Sequence, residues 1–310
     1  MAPVEISLIN LTIGVIFATI SSILFASGII LQKKAVVDMP EIKLSDVSSM
    51  TAMVKNKTWV IGILIAMAGG PFYLLTQVFI GVTLTQPIIS GLQLAFTVIL
   101  AMFLLDEKIG KIETLGFCLL VISPIFLTLG NVTAPAVDLM SSEFYFSFFL
   151  LFLLPILLLC AILFLMTKKA NEVMAGIIYA MISGMIFAIG AIMAQFGVEV
   201  LKGYSQLIML ALLFFIFLML GNTLATIIQQ LAFQRGKVGI SIGFQATVGL
   251  LLAIYGGILI FNQLILAPFF FITGIIMIFA GNALLVQFQT RIEEIETKKP
   301  VIDRTESNST

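Results

Sequence analysis

Between Trp59 and Asn131 the chain passes through three apolar stretches joined by very short connections, and no other feature constrains its fold as strongly. Each stretch is long enough to cross a bilayer core of about 30 Å. Charge is confined to their ends: the second closes on Asp106-Glu107-Lys108, and Gly116 opens the third. In hydrocarbon no water satisfies the backbone, so stretches of this kind fold as helices that satisfy their own N–H and C=O groups. Gly69-Gly70-Pro71 interrupts the first stretch, and Pro87 and Gly91 interrupt the second. Such breaks are tolerated at membrane depth only where protein or a water-filled cavity surrounds them. Gly69, Gly70, Pro71, Pro87 and Gly91, with Gly243 later in the chain, are therefore the expected helix breaks and gating points.

The rest of the chain reads the same way. Of 310 residues, 60% are hydrophobic and 10% charged, with a mean hydropathy of +1.18. A soluble domain carries about 25% charged residues, so the fold class is an all-α integral membrane protein. Nine apolar spans are expected, at 7–31, 58–80, 82–105, 113–130, 145–167, 173–200, 205–232, 238–260 and 264–289. They form one polytopic domain over 1–290, followed by a polar tail, 291–310, expected to be disordered. MAPVEISLIN has no basic n-region and leads into a run too long for a signal peptide, so the first span is read as retained.

Several functions are excluded by composition. Zero net charge removes any case for a nucleic-acid partner. The absence of histidine rules out a His-ligated metal, a Ser-His triad and a His proton relay. With no nucleophile–base pair and no ligand set, the chain is not read as an enzyme, and no cofactor or metal centre is expected. Cys118 and Cys160 lie inside apolar runs and read as small core residues rather than a disulfide.

All sixteen basic residues except Lys202 fall in connections or tails on one side of this nine-span arrangement. By the positive-inside rule that side is cytoplasmic, which puts the N-terminus outside and the C-terminus inside, in the cell membrane. Trp59, Tyr145 and Tyr204 fall where an aromatic belt would sit.

The two halves repeat each other. Ser21, Phe25, Ala26, Gly28 and Ile30 match Ser183, Phe187, Ala188, Gly190 and Ile192 at a constant offset of 162. Gly69, Gln77, Ile88, Gly91 and Gln93 match Gly221, Gln229, Ile240, Gly243 and Gln245 at 152, and Gly130-Asn131 meets Gly281-Asn282. The copies begin five spans apart, an odd number, so they lie in opposite orientations. Spans 1–4 (about 7–131) and 6–9 (about 173–289) are an inverted-topology repeat, with the Phe- and Leu-rich span 145–167 as a peripheral connector. Such repeats hold a site near mid-membrane between the halves and expose it to each side in turn. The small residues Ser21, Ser22, Gly28, Ser183, Gly184 and Gly190 are expected to pack the repeats against each other.

On these residues the chain resembles the drug/metabolite transporter superfamily, closer to NIPA-type magnesium transporters than to EamA-type exporters. The resemblance is carried by the Gln32-Lys33-Lys34 exit from the first span and by Trp59, Gly62 and Met67 ahead of Gly69. Leu84-Thr85-Gln86-Pro87, Leu105-Asp106-Glu107-Lys108 and Leu115-Gly116 complete it. It covers spans 1–4 well and 6–9 loosely. Where NIPA proteins carry Gly-Glu, this chain has Gly69-Gly70. The resemblance implies a drug/metabolite-type helical bundle and, in its NIPA form, Mg²⁺ as the transported partner.

Polar residues inside the spans are almost all uncharged. Ser90, Gln93, Thr97, Gln195, Asn222, Gln245 and Thr247 are the candidates for lining a substrate cavity. The plain alternative is that they are helix–helix hydrogen bonds of about 0.6–2 kcal/mol each. All sixteen acids lie in loops, tails or span ends, and Asp106 and Glu107 could bind a cation only at the cytoplasmic mouth. A bound divalent cation wants carboxylate oxygens, and a charge at mid-membrane is rarely kept without a function. The expected function is transport of a small neutral, zwitterionic or amphipathic solute by alternating access. Mg²⁺ transport is the alternative, and a non-transporting membrane scaffold or receptor the second.

Overall fold

The computed structural model describes residues 5–37, 55–105, 111–135, 143–203, 208–235 and 238–298. They form eight helices: α1 (Leu8–Val37), α2 (Lys57–Leu105), α3 (Lys111–Leu129), α4 (Glu143–Thr167), α5 (Glu172–Gly203), α6 (Ile208–Arg235), α7 (Val238–Phe261) and α8 (Pro268–Lys298). Six are long and apolar enough to cross a membrane, while the apolar parts of α3 and α8, Thr114–Leu129 and Pro268–Leu284, are shorter. Large apolar side chains cover the outside: Leu154, Leu158, Leu220 and Phe269 are each more than half exposed. That surface suits lipid rather than water.

As a straight rod the 49 residues of α2 would reach about 73 Å, more than twice the bilayer core. The helix is instead bent double. Gly81 has φ 70° and ψ 170°, and it is the only residue in α2 outside helical dihedrals. The Tyr73 hydroxyl donates to Gln86 Oε1 at 3.2 Å, although the two are thirteen residues apart in sequence. Neighbouring serines of α1 reach both limbs: Ser21 donates to the Gly69 carbonyl and Ser22 to that of Ile89. Positive φ is nearly free only for glycine, so this turn needs one. The breaks expected at Gly69, Gly70, Pro71, Pro87, Gly91 and Gly243 are not found, because all six positions keep helical geometry. A proline inside a helix removes one N–H and crowds one carbonyl, which packed neighbours can absorb. A chain reversal is a different matter and requires the left-handed dihedral.

The bundle has two ends. At one, Glu5 bridges to Thr133 and Val132 to Ile265, and Gln263 bonds Thr83. At the other, Gln230 bonds Gln32, and Trp59 packs on a cluster that includes Ala175, Ile228 and Ala232. Trp59 is half-buried against this cluster at the start of α2; Tyr204, also expected in the belt, lies outside the described residues. These groupings fix directions. α1, the second limb of α2, α6 and α8 run away from the Glu5 end; α5, the first limb, α7 and α3 run toward it. α3 and α8 lie antiparallel in close contact, with Gly130 and Gly274 against Phe271 and Leu127, and Gly281 against Leu120 and the Gly116 carbonyl.

Each half is closed internally by the same set of contacts. In the first, Ser21 bonds Gly69, Ser22 reaches Ile89, and Gly28 lies on Gly62 and Ala66. In the second, Ser183 bonds Ala225, Gly184 lies on Gln245, and Gly190 on Leu218 and Asn222. Offsets of 162 for the first helix of each half and 156 for the next two map one set onto the other. Two expectations change. These small residues pack helices within a half rather than half against half. The second and third spans also correspond four residues, about one helical turn, away from the 152-residue match. A one-turn slip presents the same face of a 3.6-residue helix, so identities among few residue types do not resolve it.

α4 lies at the edge, packed on α5 and α7 through Phe152 and Ile156, with most of its surface outward. Cys118 is exposed on α3 rather than in the core, and both cysteines are free. α8 continues as helix to Lys298, through part of the tail expected to be irregular. Its Glu, Lys, Ile and Arg residues there are compatible with helix.

Candidate functional site

A carboxamide inside an apolar bundle must find partners, since an unmade bond costs about 1–3 kcal/mol. Following those bonds outlines the site. Gln86, Ser90, Gln93 and Thr97 recur at four-, three- and four-residue steps along the second limb of α2, so they share one face. Gln86, Ser90 and Gln93 are half-buried. Thr97 is less available, because its hydroxyl donates to the Gln93 carbonyl at 2.8 Å.

At the top of that face Gln86 Oε1 accepts from the Tyr73 hydroxyl of the first limb. Tyr73 in turn accepts from Gln77 Nε2 at 3.0 Å, and the same amide donates to the Ala191 carbonyl of α5 at 3.0 Å. A polar chain therefore leads from α2 across the bundle into the other half. Gln77 is fully buried, and its bonding fixes which way the amide points: only the NH₂ end can serve a carbonyl. Its Oε1 has no hydrogen-bond partner among the described residues. On the far side, Gln229 Nε2 donates to Gln245 Oε1 at 2.9 Å, linking α6 to α7.

The second limb of α2 and α7 are antiparallel neighbours, and contact between Thr83 and Gly257 sets their register. Ten residues further along each helix this brings Gln93 and Thr247 to the same depth. Thr247 and Gln245 are half-buried there. By that register Ser90 and Gln93 on α2 lie at depths similar to those of Gln245 and Thr247 on α7. Two other candidates lie elsewhere. Asn222 presses its Oδ1 on Gly190, 2.7 Å from where a Cβ would sit, and serves α5–α6 packing. Gln195 is buried and donates to Glu199 Oε1 at 2.7 Å, which also pairs with Lys202 at 3.2 Å.

The glycines differ in role. Gly69 leaves its carbonyl to Ser21 and faces the Phe25 ring, whereas a Cβ on Gly70 would meet nothing within 4 Å. Pro71 is exposed, Pro87 is buried, and Gly91 lies on Ser123. Asp106 and Glu107 are outside the described residues. Among the described residues no three His, Cys, Asp or Glu side chains come together as a metal site.

Sequence reasoning passed over Tyr73, Gln77, Gln86 and Gln229 as site residues. The signals were partial: Gln77 and Gln229 coincide at the 152-residue offset, although the contact register pairs Gln229 with Tyr73, and Gln86 stands in the Leu84-Thr85-Gln86-Pro87 motif. Gln263 carried none. Compared with known proteins, the chain matches no family, no curated protein and no solved structure.

Proposed function

We propose that the chain is a transporter of the drug/metabolite type in the cell membrane, with nine spans in one domain, moving a small solute by alternating access. The observation that carries this reading is the pairwise reversal of direction between halves. α1 opposes α5, the limbs of α2 oppose α6 and α7, and α3 opposes α8. Inverted halves can exchange conformations, so a site between them faces one side and then the other. The shared contact register supports treating them as two copies of one unit, joined through α4. The basic residues favour an external N-terminus and a cytoplasmic C-terminus.

The seam of Tyr73, Gln77, Gln86, Ser90, Gln93 and Gln245 offers amides, hydroxyls and backbone carbonyls and no carboxylate. It suits a neutral, zwitterionic or amphipathic organic solute better than a divalent cation, which needs formal negative charge near it. Equilibrium uptake into proteoliposomes, a metabolite panel against Mg²⁺, tests this directly. Gln93→Leu and Gln245→Leu should each lower uptake of the organic solute about tenfold or more. Asp106→Asn with Glu107→Gln should change it little. Mg²⁺ uptake that survives both glutamine changes and fails when the acid pair is neutralised would overturn the reading.

A further inference from the structure

The loop from α7 to α8 drives one side chain back into the bundle. Asn262 turns the chain with φ 50°, and Gln263 behind it is fully buried although Asn262 and Leu264 on either side are exposed. Its carboxamide ties together three segments. Oε1 accepts from the Thr83 amide at 3.1 Å and the Thr83 hydroxyl at 2.8 Å, and Nε2 donates to the Thr133 carbonyl at 3.1 Å. Its own main-chain N–H donates to the Gly257 carbonyl at 3.2 Å. The Thr83 amide opens the second limb of α2, where the first N–H groups have no acceptor inside their own helix. Gln263 is thus an N-cap supplied to one half by the other. The fit leaves no room: a Cβ on Gly81 would overlap the Gln263 amide, and one on Gly257 the Thr83 hydroxyl.

Around this residue further contacts join the described residues of that end. Thr133 and Leu264 exchange further bonds, Val132 bridges to Ile265, and Glu5 bridges to Thr133. Within the second half and α4, Phe196 of α5 packs tilted on Phe261 at 4.9 Å, edge-on to Phe149 at 5.3 Å and stacked on Phe214 at 5.3 Å. At the opposite end, the bond between halves among the described residues is one amide pair, Gln230 to Gln32 at 3.3 Å, beside the packing of Trp59.

We infer that Gln263 is the catch of the gate at the Glu5 end: it holds that end closed, and it must release Thr83 before the halves can part there. The inference rests on the alternating-access reading and adds to it a positioning residue and an order of events. Opening at the other end leaves the catch made, so the conformation described here alternates with one that has lost the Gln263–Thr83 bonds.

The test uses the full chain with Cys118 and Cys160 replaced by serine and a reporter, Ser90→Cys, in membranes. A membrane-impermeant thiol reagent is applied from the side of the Glu5 end and, separately, from the opposite side. Gln263→Leu keeps the bulk and removes the bonds, and should raise labelling from the Glu5 side about tenfold or more while labelling from the other side falls. Thr83→Val removes only the hydroxyl and should shift labelling the same way by a smaller factor, which keeps the test usable if Gln263→Leu folds poorly. Labelling unchanged in Thr83→Val and in a well-folded Gln263→Leu would overturn the inference. So would an equal rise from both sides, which is loosening rather than gating. Labelling needs no solute: a one-sided shift without any measurable uptake would support the gate and count against the transport reading alone.

Discussion

In the first half of the bundle Ser21 donates to the Gly69 carbonyl at 3.0 Å, and in the second its counterpart Ser183 donates to the Ala225 carbonyl at 2.9 Å. One residue later the halves part company. Ser22 reaches the Ile89 carbonyl through its hydroxyl at 3.3 Å, whereas Gly184 has no side chain and lies directly on the Gln245 carbonyl. The second half is therefore packed backbone to backbone where the first is joined through a side chain. α5 is also covered on several faces, by α4, α6, α7 and α2, and most of it is buried; α1 is covered almost wholly by α2. Two copies of one arrangement need not be equally rigid. Here the close backbone approach falls at different places: at Gly184 in the second half and at Gly28, on the Gly62 carbonyl, in the first, where the matching Gly190 meets side chains of Leu218 and Asn222.

The largest expected effect follows from that difference. Gly184→Val would drive a branched side chain into backbone that cannot turn aside, and should cost about 3 kcal/mol or more. Ser22→Val at the corresponding place gives up a hydroxyl that donates to the Ala18 carbonyl at 2.7 Å and reaches that of Ile89 at 3.3 Å, and should cost about 1 kcal/mol. Thermal unfolding of the detergent-solubilised protein separates the two. Equal losses would mean that the two halves are equally close at this position.

A smaller effect is expected where the halves are bonded to each other. Gln77→Leu removes the amide that connects Tyr73 with the Ala191 carbonyl. That carbonyl keeps its bond within α5, so stability should fall by about 1–2 kcal/mol. On the proposed transport reading, uptake should fall much further than stability, because Gln77 joins the two halves. A matching fall in both would reduce the residue to packing.

The smallest effect concerns Gly69 and Gly70, whose packing counterparts in the second half are Ala225 and Thr226. Gly70→Ala enters open space inside a helix and should stabilise the protein by about 0.5–1 kcal/mol. Gly69→Ala meets the Phe25 ring at 2.9 Å and should be destabilising by about 1–2 kcal/mol. If both changes were neutral, the first half would be looser around Gly69 than described.

Much of this was legible beforehand because bilayer thickness limits helix length. The boundary between 58–80 and 82–105 follows from that limit alone, and the reversal falls at Gly81 between them. That Gly81 rather than Gly69, Gly70 or Gly91 would turn the chain is not visible in the letters, since a glycine's dihedral depends on what surrounds it. The repeat was visible in Ser21 and Ser183, yet its register along the next two helices was ambiguous by one turn. Gln93 and Gln245 emerged as candidates because they stand within apolar runs. Gln263 did not, since a glutamine in a short loop is ordinary and only the fold reveals that it is buried. Asn222 and Gln195 look identical to site residues in sequence, and only their partners, Gly190 and Glu199, assign them to packing and to an ion-pair chain.

The central claim is that the two halves lie in opposite orientations, and one pair of labels addresses it. Ser7 precedes α1 and Lys169 precedes α5, and both are exposed. Single cysteines at these positions, with Cys118 and Cys160 replaced by serine, are treated with an impermeant thiol reagent on intact cells. Ser7→Cys should react from outside, and Lys169→Cys only after the membrane is permeabilised. Reaction of both from the same side would place α1 and α5 in the same orientation and contradict the account.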